Sequence, residues 1–205
     1  MTPGRYSLCV IHHGDAGLTE ACLRSTLALE VEPVERILLW NDPSSPPDAL
    51  SGELLAAARL VDPGENLGFA GGGNRAMKEA IDGARAAGTR LDALLLLNND
   101  TVVDAAAPRL LLEELRRDAR IAITGPRILE ADGGAIWHDG GTIEWPEGRV
   151  VSRGHGEPPA AAAAEVFDVD FVCGCAPMIR RAPFEEAGGF DERYFLYHED
   201  TDLGL

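Results

Sequence analysis

The segment that most constrains this chain is Leu91 to Leu97, in which four consecutive leucines run directly into Asn98-Asn99-Asp100. It is too short to span a membrane and too apolar for a sheet edge, so it predicts a central strand buried on both faces. Such a strand needs a covering layer on each side, and the flanking sequence supplies them in alternation. Tyr6 to Ile11, Arg36 to Trp40 and Arg59 to Val61 read as further strands. Leu18, Cys22, Leu23, Leu27 and Ala28 fall at helical spacing and predict a helix over 18–29. Further helices are predicted before Arg59, over 75–87 with Gly88 as a C-cap glycine, and from an N-cap at Asp104 to about Asp118. The alternation predicts an α/β fold, a Rossmann-like, mainly parallel sheet flanked by helices.

Beyond residue 120 the pattern breaks into a smaller mixed subregion. Short strands are expected over 121–124, 135–138 and 167–172, separated by glycine turns that carry His138 and His155 as surface loop residues. Pro158-Pro159 and the alanines Ala160 to Ala164 read as a mobile loop. A last helix opens near Glu199 and is cut off at Leu205, which gives the chain the look of a C-terminal truncation. The 205 residues are expected to form a single domain, 1–118 as one half and 119–205 as an incomplete second half, with enough chain to bury a core without staples. Cys9, Cys22, Cys173 and Cys175 lack C-x-x-C spacing and read as reduced cytosolic thiols, the last two packing on one strand face.

Eighteen Lys and Arg against 34 Asp and Glu leave a net charge of −16. That field repels nucleic acid and anionic lipid, which argues against a nucleic-acid partner. An anionic ligand would need local neutralisation by a metal ion or by backbone N–H groups. Met1 to Tyr6 has no basic leader character and no apolar run is long enough to cross a bilayer, so a cytoplasmic location is expected. Peripheral association with the inner face of a membrane stays open.

Parallel sheets bind ligands beyond the carboxyl ends of their strands, so His12 to Asp15, Asn41-Asp42 and Asn98 to Asp100 are expected to converge on one crevice. Asp100, a carboxylate held at the end of a rigid strand, suits a hard cation such as Mg²⁺ or Mn²⁺, although such a residue can equally cap its own turn. Asn66-Leu-Gly-Phe-Ala-Gly-Gly-Gly-Asn74 reads as a glycine-rich loop opening onto a helix N-terminus, where backbone can approach a ligand closely. It is neither a P-loop nor G-x-G-x-x-G. His198-Glu199-Asp200-Thr201-Asp202 places three acids beside a histidine. Such a cluster is able to supply a general base, or simply to reflect the acidic bias of a helix start.

Taken in order, four segments resemble the family 2 glycosyltransferases, in particular the rhamnosyltransferase-like members. They are Asn66 to Arg75, Leu97-Asn-Asn-Asp-Thr101, Gly174-Cys-Ala-Pro-Met-Ile-Arg-Arg181 and Gly189-Phe-Asp-Glu-Arg-Tyr-Phe-Leu-Tyr-His-Glu-Asp-Thr-Asp-Leu203. The resemblance implies a GT-A fold, a nucleotide-diphosphate sugar donor with rhamnose as one candidate sugar, a divalent cation, and transfer with inversion to a glycan or lipid-linked saccharide acceptor. By the same resemblance Asp100 would bind the metal, Asp200 would act as base with Glu199 tuning it, and Asn66, Gly68, Asn74 and Asn98 would line the donor pocket with His12, His13, Asn41 and Asp42. The chain departs from the family where His12-His13-Gly14 replaces an aromatic turn and where Trp40-Asn41 stands in place of an Asp-Asn pair that reads the base. An idle nucleotide-sugar-binding or assembly module of the same fold is the alternative. A metal-dependent nucleotidyltransferase would need a basic residue near the first strand, which His12-His13 supplies only weakly.

Overall fold

The computed structural model describes residues 4–159 and 165–205, so the loop expected at Ala160 to Ala164 lies outside the described residues. The first half alternates as β1 (Tyr6–His12), α1 (Ala16–Thr26), β2 (Arg36–Trp40), α2 (Gly52–Ala57), β3 (Arg59–Val61), α3 (Gly68–Ala86), β4 (Ala93–Asn98) and α4 (Ala107–Arg117). The second half holds β5 (Ile123–Thr124), β6 (Ile128–Leu129), β7 (Ile136–His138), β8 (Gly141–Glu144), β9 (Arg149–Ser152), β10 (Met178–Arg180), α5 (Arg181–Ala187) and α6 (Glu199–Gly204). The main sheet has six strands in the order β3-β2-β1-β4-β10-β5. The first four run parallel, while β10 is antiparallel to both of its neighbours. The second half thus completes the far edge of the sheet that the first half begins.

Period-two alternation sorts the strand residues onto two cores. Leu8, Val10, Leu38, Trp40, Leu95 and Leu97 pack with Cys22 and Leu23 of α1 and Leu111, Leu112 and Leu115 of α4. Cys9, Ile11, Ile37, Leu39, Leu94 and Leu96 pack with Met77, Ala80, Ile81 and Ala84 of α3 and with Phe184 and Phe190. The leucine run is therefore split evenly between two layers, each buried leucine contributing roughly 1.5–3 kcal/mol.

Four expectations need correction. The glycine-rich segment is not a loop: α3 already begins at Gly68, and its glycines let the helix lie close to its neighbours. A Cβ at Gly72 would sit 3.1 Å from Leu39 Cδ2, and one at Gly73 would sit 3.0 Å from the Phe190 ring. Residues 167–172 form no strand, since only a single bridge joins Phe171 to Gly141; the pairing partners there are instead β8 and β9, a hairpin. His138 is not on the surface. It is 4% exposed, because β7 turns that side chain inward while Trp137 faces out. α4 also starts later than expected: Asp104 closes the preceding turn by accepting from the Ala106 N–H at 2.9 Å, and Ala106 is the N-cap.

Candidate active site

His12 pairs with Trp40 and Ile11 with Asn98, so the carboxyl ends of β1, β2 and β4 finish level. The turns beyond them are tied together. Gly14 N–H donates to Asp42 Oδ2 at 3.1 Å, Asn41 N–H to the His12 carbonyl at 3.0 Å, and Asn99 Nδ2 to the His13 carbonyl at 3.0 Å and Thr19 Oγ1 at 2.9 Å. Donation from the Ser44 hydroxyl and N–H keeps the Asp42 carboxyl at about 2, so it is charged at any physiological pH. His12 lies flat against Trp40, ring centroids 3.6 Å apart, with Nδ1 2.6 Å from Thr19 Oγ1. Burial lowers its pKa, which leaves a neutral ring walled into the protein, whereas His13 is exposed.

The amides of the Asn66–Asn74 segment are engaged within the protein. Asn41 Oδ1 accepts from Leu67 N–H at 2.9 Å, and its Nδ2 donates to the Gly68 carbonyl at 2.9 Å and to Asn66 Oδ1 at 3.2 Å. Asn74 brackets Phe190, accepting from its N–H at 2.8 Å and donating to its carbonyl at 2.9 Å. These contacts fix where α3 begins and where the chain after α5 lies. A hollow of about 250 Å³ on the outer side of α3 is lined by Leu67, Gly71, Asn74, Arg75, Lys78 and Glu192, and includes neither Asp100 nor Asp200.

The N-terminus of α3 has no side-chain cap. The Phe195 carbonyl takes that place, accepting from Phe69 N–H at 2.6 Å and Ala70 N–H at 3.3 Å. Gly68, at φ +70°, makes the approach possible, because a Cβ there would collide with that carbonyl and lie 2.6 Å from the Phe195 ring. Gly68→Ala is therefore expected to destabilise the fold by about 2–4 kcal/mol, combining a left-handed backbone penalty with overpacking. Urea unfolding measures it. A loss below about 0.5 kcal/mol, the range of neutral surface changes, would contradict this docking.

Asp100 is exposed at the end of β4 and accepts no hydrogen bond among the described residues, leaving both oxygens uncommitted. Asp200 sits in the first turn of α6, half-buried, with Oδ2 accepting from Gly174 N–H at 2.8 Å and Oδ1 from Thr201 N–H at 2.7 Å. One short segment connects the two. The Cys175 carbonyl accepts from Asn98 N–H at 3.0 Å and its Sγ lies 3.3 Å from Thr101 Oγ1, while the adjacent Gly174 holds Asp200. Asp100 accordingly bears electrostatically on Cys22 and Cys175, and Asp200 on Cys173. Burial pushes the Cys22 and Cys173 thiols up to about 12, so they are inert spacers rather than nucleophiles. From the residues alone this segment reads only as a packed apolar strand. Its role as the mount of Asp200 depends on one backbone N–H, which no side-chain pattern announces.

The approach to α6 is strained. Phe195, Tyr197 and His198 have φ of 55°, 71° and 70°, each costing on the order of 1 kcal/mol or more for a residue with a Cβ. Glu199, next in line, is 4% exposed, and its Oε2 has no hydrogen-bond partner among the described residues. Burial raises its pKa. Between the ordinary carboxylate range and that raised value the folded state binds more protons than the unfolded state, so this group's contribution falls as pH rises through the window. Glu199→Gln is expected to be more stable than the parent at pH 7, the difference fading below the ordinary carboxylate pKa of about 4.3. Thermal unfolding at both pH values measures it, and equal stability of the two proteins at pH 7 would contradict the burial of a charge there.

Among the described residues no group of three His, Cys, Asp or Glu side chains converges as a metal cage. The donor set still fits a divalent cation held by one free carboxylate together with a ligand's phosphates, the usual arrangement for Mg²⁺. No helix is long and apolar enough to cross a membrane among the described residues.

The mainly parallel sheet with its antiparallel β10 and flanking helices defines the class: the chain has the GT-A fold of glycosyltransferases. It matches the mannosyltransferase PcManGT from Pyrobaculum calidifontis, solved with GDP-Man and Mn²⁺, at TM-score 0.59 and 14% identity over 98% of this chain and 52% of that one. It matches GalNAc-T7, solved with UDP, GalNAc and Mn²⁺, at TM-score 0.64 and 16% identity over 98% of this chain and 40% of that one. Among curated sequences it is 27% identical over 197 residues to an N-acetylglucosaminyl-diphospho-decaprenol L-rhamnosyltransferase of Mycobacterium tuberculosis, covering 88% of this chain and 63% of that protein. It is 28% identical over 145 residues to the low-salt glycan biosynthesis hexosyltransferase Agl10 of Haloferax volcanii, covering 70% of this chain and 44% of that protein. The chain thus spans less than two thirds of the length of these relatives. No protein-family model matches it.

Proposed function

We propose that the protein is an inverting glycosyltransferase of the family 2 type, moving a sugar from a nucleotide-diphosphate donor to a hydroxyl of a glycan or lipid-linked saccharide. The observation that carries this reading is the Cys173–Cys175 segment, which ties Asp200 to one side and the end of β4, with Asp100, to the other. A base held by this segment and a free carboxylate at the end of the neighbouring strand suit a displacement in which base and leaving group lie on opposite faces of the sugar. Asp200 takes the proton of the acceptor hydroxyl. The acceptor oxygen bonds to the anomeric carbon as the bond to the diphosphate breaks, and that electron pair leaves on the diphosphate. Asp100, with Asn98 beside it, would hold the Mg²⁺ or Mn²⁺, which when bound neutralises charge on the diphosphate. In a chain of net charge −16 this compensation matters more than usual. His13 flanks the donor's base, while His12, Asn41, Asp42, Asn66, Gly68 and Asn74, which hydrogen-bond within the protein, shape the walls rather than touch it. A relative whose name specifies a decaprenol-linked substrate supports a lipid-linked acceptor, and with it a site at the cytoplasmic face of a membrane.

A donor-binding module without turnover is the second reading, favoured by Trp40, whose ring is buried against His12 at the place where the family carries a base-reading pair. A thermal-shift screen of nucleoside diphosphates with and without Mn²⁺ tests both. A ligand present at 100 times its Kd adds about 2.7 kcal/mol, a rise of several degrees for a chain of this size. We expect one nucleotide to raise Tm, and only with the metal. A flat response across the panel would contradict both readings, and binding without transfer would select the second.

A further inference from the structure

Tyr194-Phe195-Leu196-Tyr197 is a run of four large apolar side chains with no charge among them, and the fold leaves all four at the surface, 40%, 51%, 49% and 72% exposed. Such a run gains stability by turning inward, away from water. Here the backbone is bent the other way: Phe195, Tyr197 and His198 all take positive φ, which side chains with a Cβ rarely adopt. Two contacts hold that conformation. The Phe195 carbonyl accepts from Phe69 and Ala70 N–H at the start of α3, and the Tyr194 hydroxyl donates to Asp202 Oδ1 of α6 at 3.2 Å. The strap is therefore fixed outward by the helix on either side of it.

The strap lies beside the mount of Asp200. Phe69, whose N–H the Phe195 carbonyl holds, rests its ring on Gly174, where a Cβ would meet Phe69 Cε1 at 2.7 Å, and Gly174 N–H in turn holds Asp200. The chemistry of the surface narrows what can cover it. Phe195 and Leu196 offer no hydrogen-bonding side chain and the Tyr194 hydroxyl is engaged by Asp202, which leaves only the Tyr197 hydroxyl for a sugar ring that needs several partners. Glu192 and Asp202 flank the run, Arg193 is already paired with Asp191, and the chain carries −16 overall, so an anionic bilayer surface is repelled. An uncharged hydrocarbon chain meets neither obstacle.

We propose that Tyr194 to Tyr197 is the seat of the hydrocarbon chain of a lipid-linked acceptor, holding the part nearest the saccharide beside the mount that carries Asp200. This rests on the reading of the protein as a transferase to a lipid-linked saccharide. Because the strap is already held outward, seating the chain requires no rearrangement of the protein, and the apolar surface it covers is a net gain.

Farnesol, an uncharged isoprenoid alcohol, is the probe, added below the concentration at which it self-associates. Its binding is followed by amide and aromatic chemical shifts in the parent and in the double variant Leu196→Ser, Tyr197→Ser, whose substituted side chains are exposed and carry little of the fold's stability. We expect saturable shifts centred on Tyr194 to Tyr197, and an affinity at least about tenfold weaker in the variant. Shifts centred elsewhere in the parent, which is read whether or not the variant folds, would overturn the proposal, as would equal affinity in the two folded proteins. Sedimentation covers the other occupants: the parent is expected to remain monomeric and to stay in the supernatant with phosphatidylcholine vesicles. Pelleting with the vesicles that the variant loses would make the strap a bilayer anchor, and a dimer that the variant disperses would make it a contact between copies; either overturns the proposal. None of these measurements needs turnover or a nucleotide, so they decide on the strap separately from the nucleoside diphosphate screen that decides on the transferase reading.

Discussion

Replacing Asp200 by Asn is expected to lower kcat by about 10²–10⁴ while donor affinity stays within about twofold. The substitution is nearly isosteric, and an Asn oxygen still accepts from Gly174 N–H, so the mount that carries the side chain survives. What is lost is basicity. The proton of the acceptor hydroxyl then has no receiver as the oxygen closes on the anomeric carbon, and the loss falls on the chemical step rather than on ground-state binding. Steady-state kinetics with saturating donor, alongside donor Kd by calorimetry, separates the two. A variant that loses donor affinity and kcat together would move Asp200 to the donor side of the crevice and contradict its role as base.

The first half of the fold was legible because its signals are local. The leucine run, the capped helices and the polar strand ends each report on themselves, and β2 and β3 fall where Arg36 to Trp40 and Arg59 to Val61 predict them. In the second half the strands expected over 121–124 and 135–138 and the helix near Glu199 appear as β5, β7 and α6, but β8, β9 and β10 were not read, because they are three or four residues long and are stabilised through pairing with other strands. Gly68 to Gly73 misled in a specific way. Glycine lowers helix propensity by up to about 1 kcal/mol, yet here it lets α3 lie close against Leu39 and Phe190 and, at Gly68, admits the Phe195 carbonyl, which a Cβ would meet at 2.4 Å. Tertiary packing overrode propensity. At the site, the convergence of the β1, β2 and β4 ends was readable from topology alone. The uses of individual side chains were not: Asn41 and Asn74 are polar residues in a suggestive segment whose hydrogen bonds turn out to be spent on holding backbone. His138 was missed because a histidine between glycine turns carries no sign of the hairpin that buries it.

Asp100→Asn is the second large effect. A neutral amide at the end of β4 cannot hold a divalent cation against the diphosphate, so Mn²⁺-dependent nucleoside diphosphate binding should fall by at least about 100-fold, roughly 2.7 kcal/mol. Stability should not change, because the Asp100 side chain is exposed and makes no hydrogen bond among the described residues. Calorimetric titration with and without Mn²⁺ measures the affinity, and equal affinity in parent and variant would remove Asp100 from the metal site.

Donor and metal are proposed to sit against the Cys173–Cys175 mount, at the end of β4 that carries Asp100. Paramagnetic broadening tests this placement most directly. With substoichiometric Mn²⁺ and a nucleoside diphosphate, the backbone amide signals of Thr101, Gly174 and Cys175 should broaden first, and the Asp100→Asn variant should lose that broadening. Broadening centred instead on Gly71, Asn74 and Lys78, around the hollow outside α3, would place the ligand elsewhere and contradict the account.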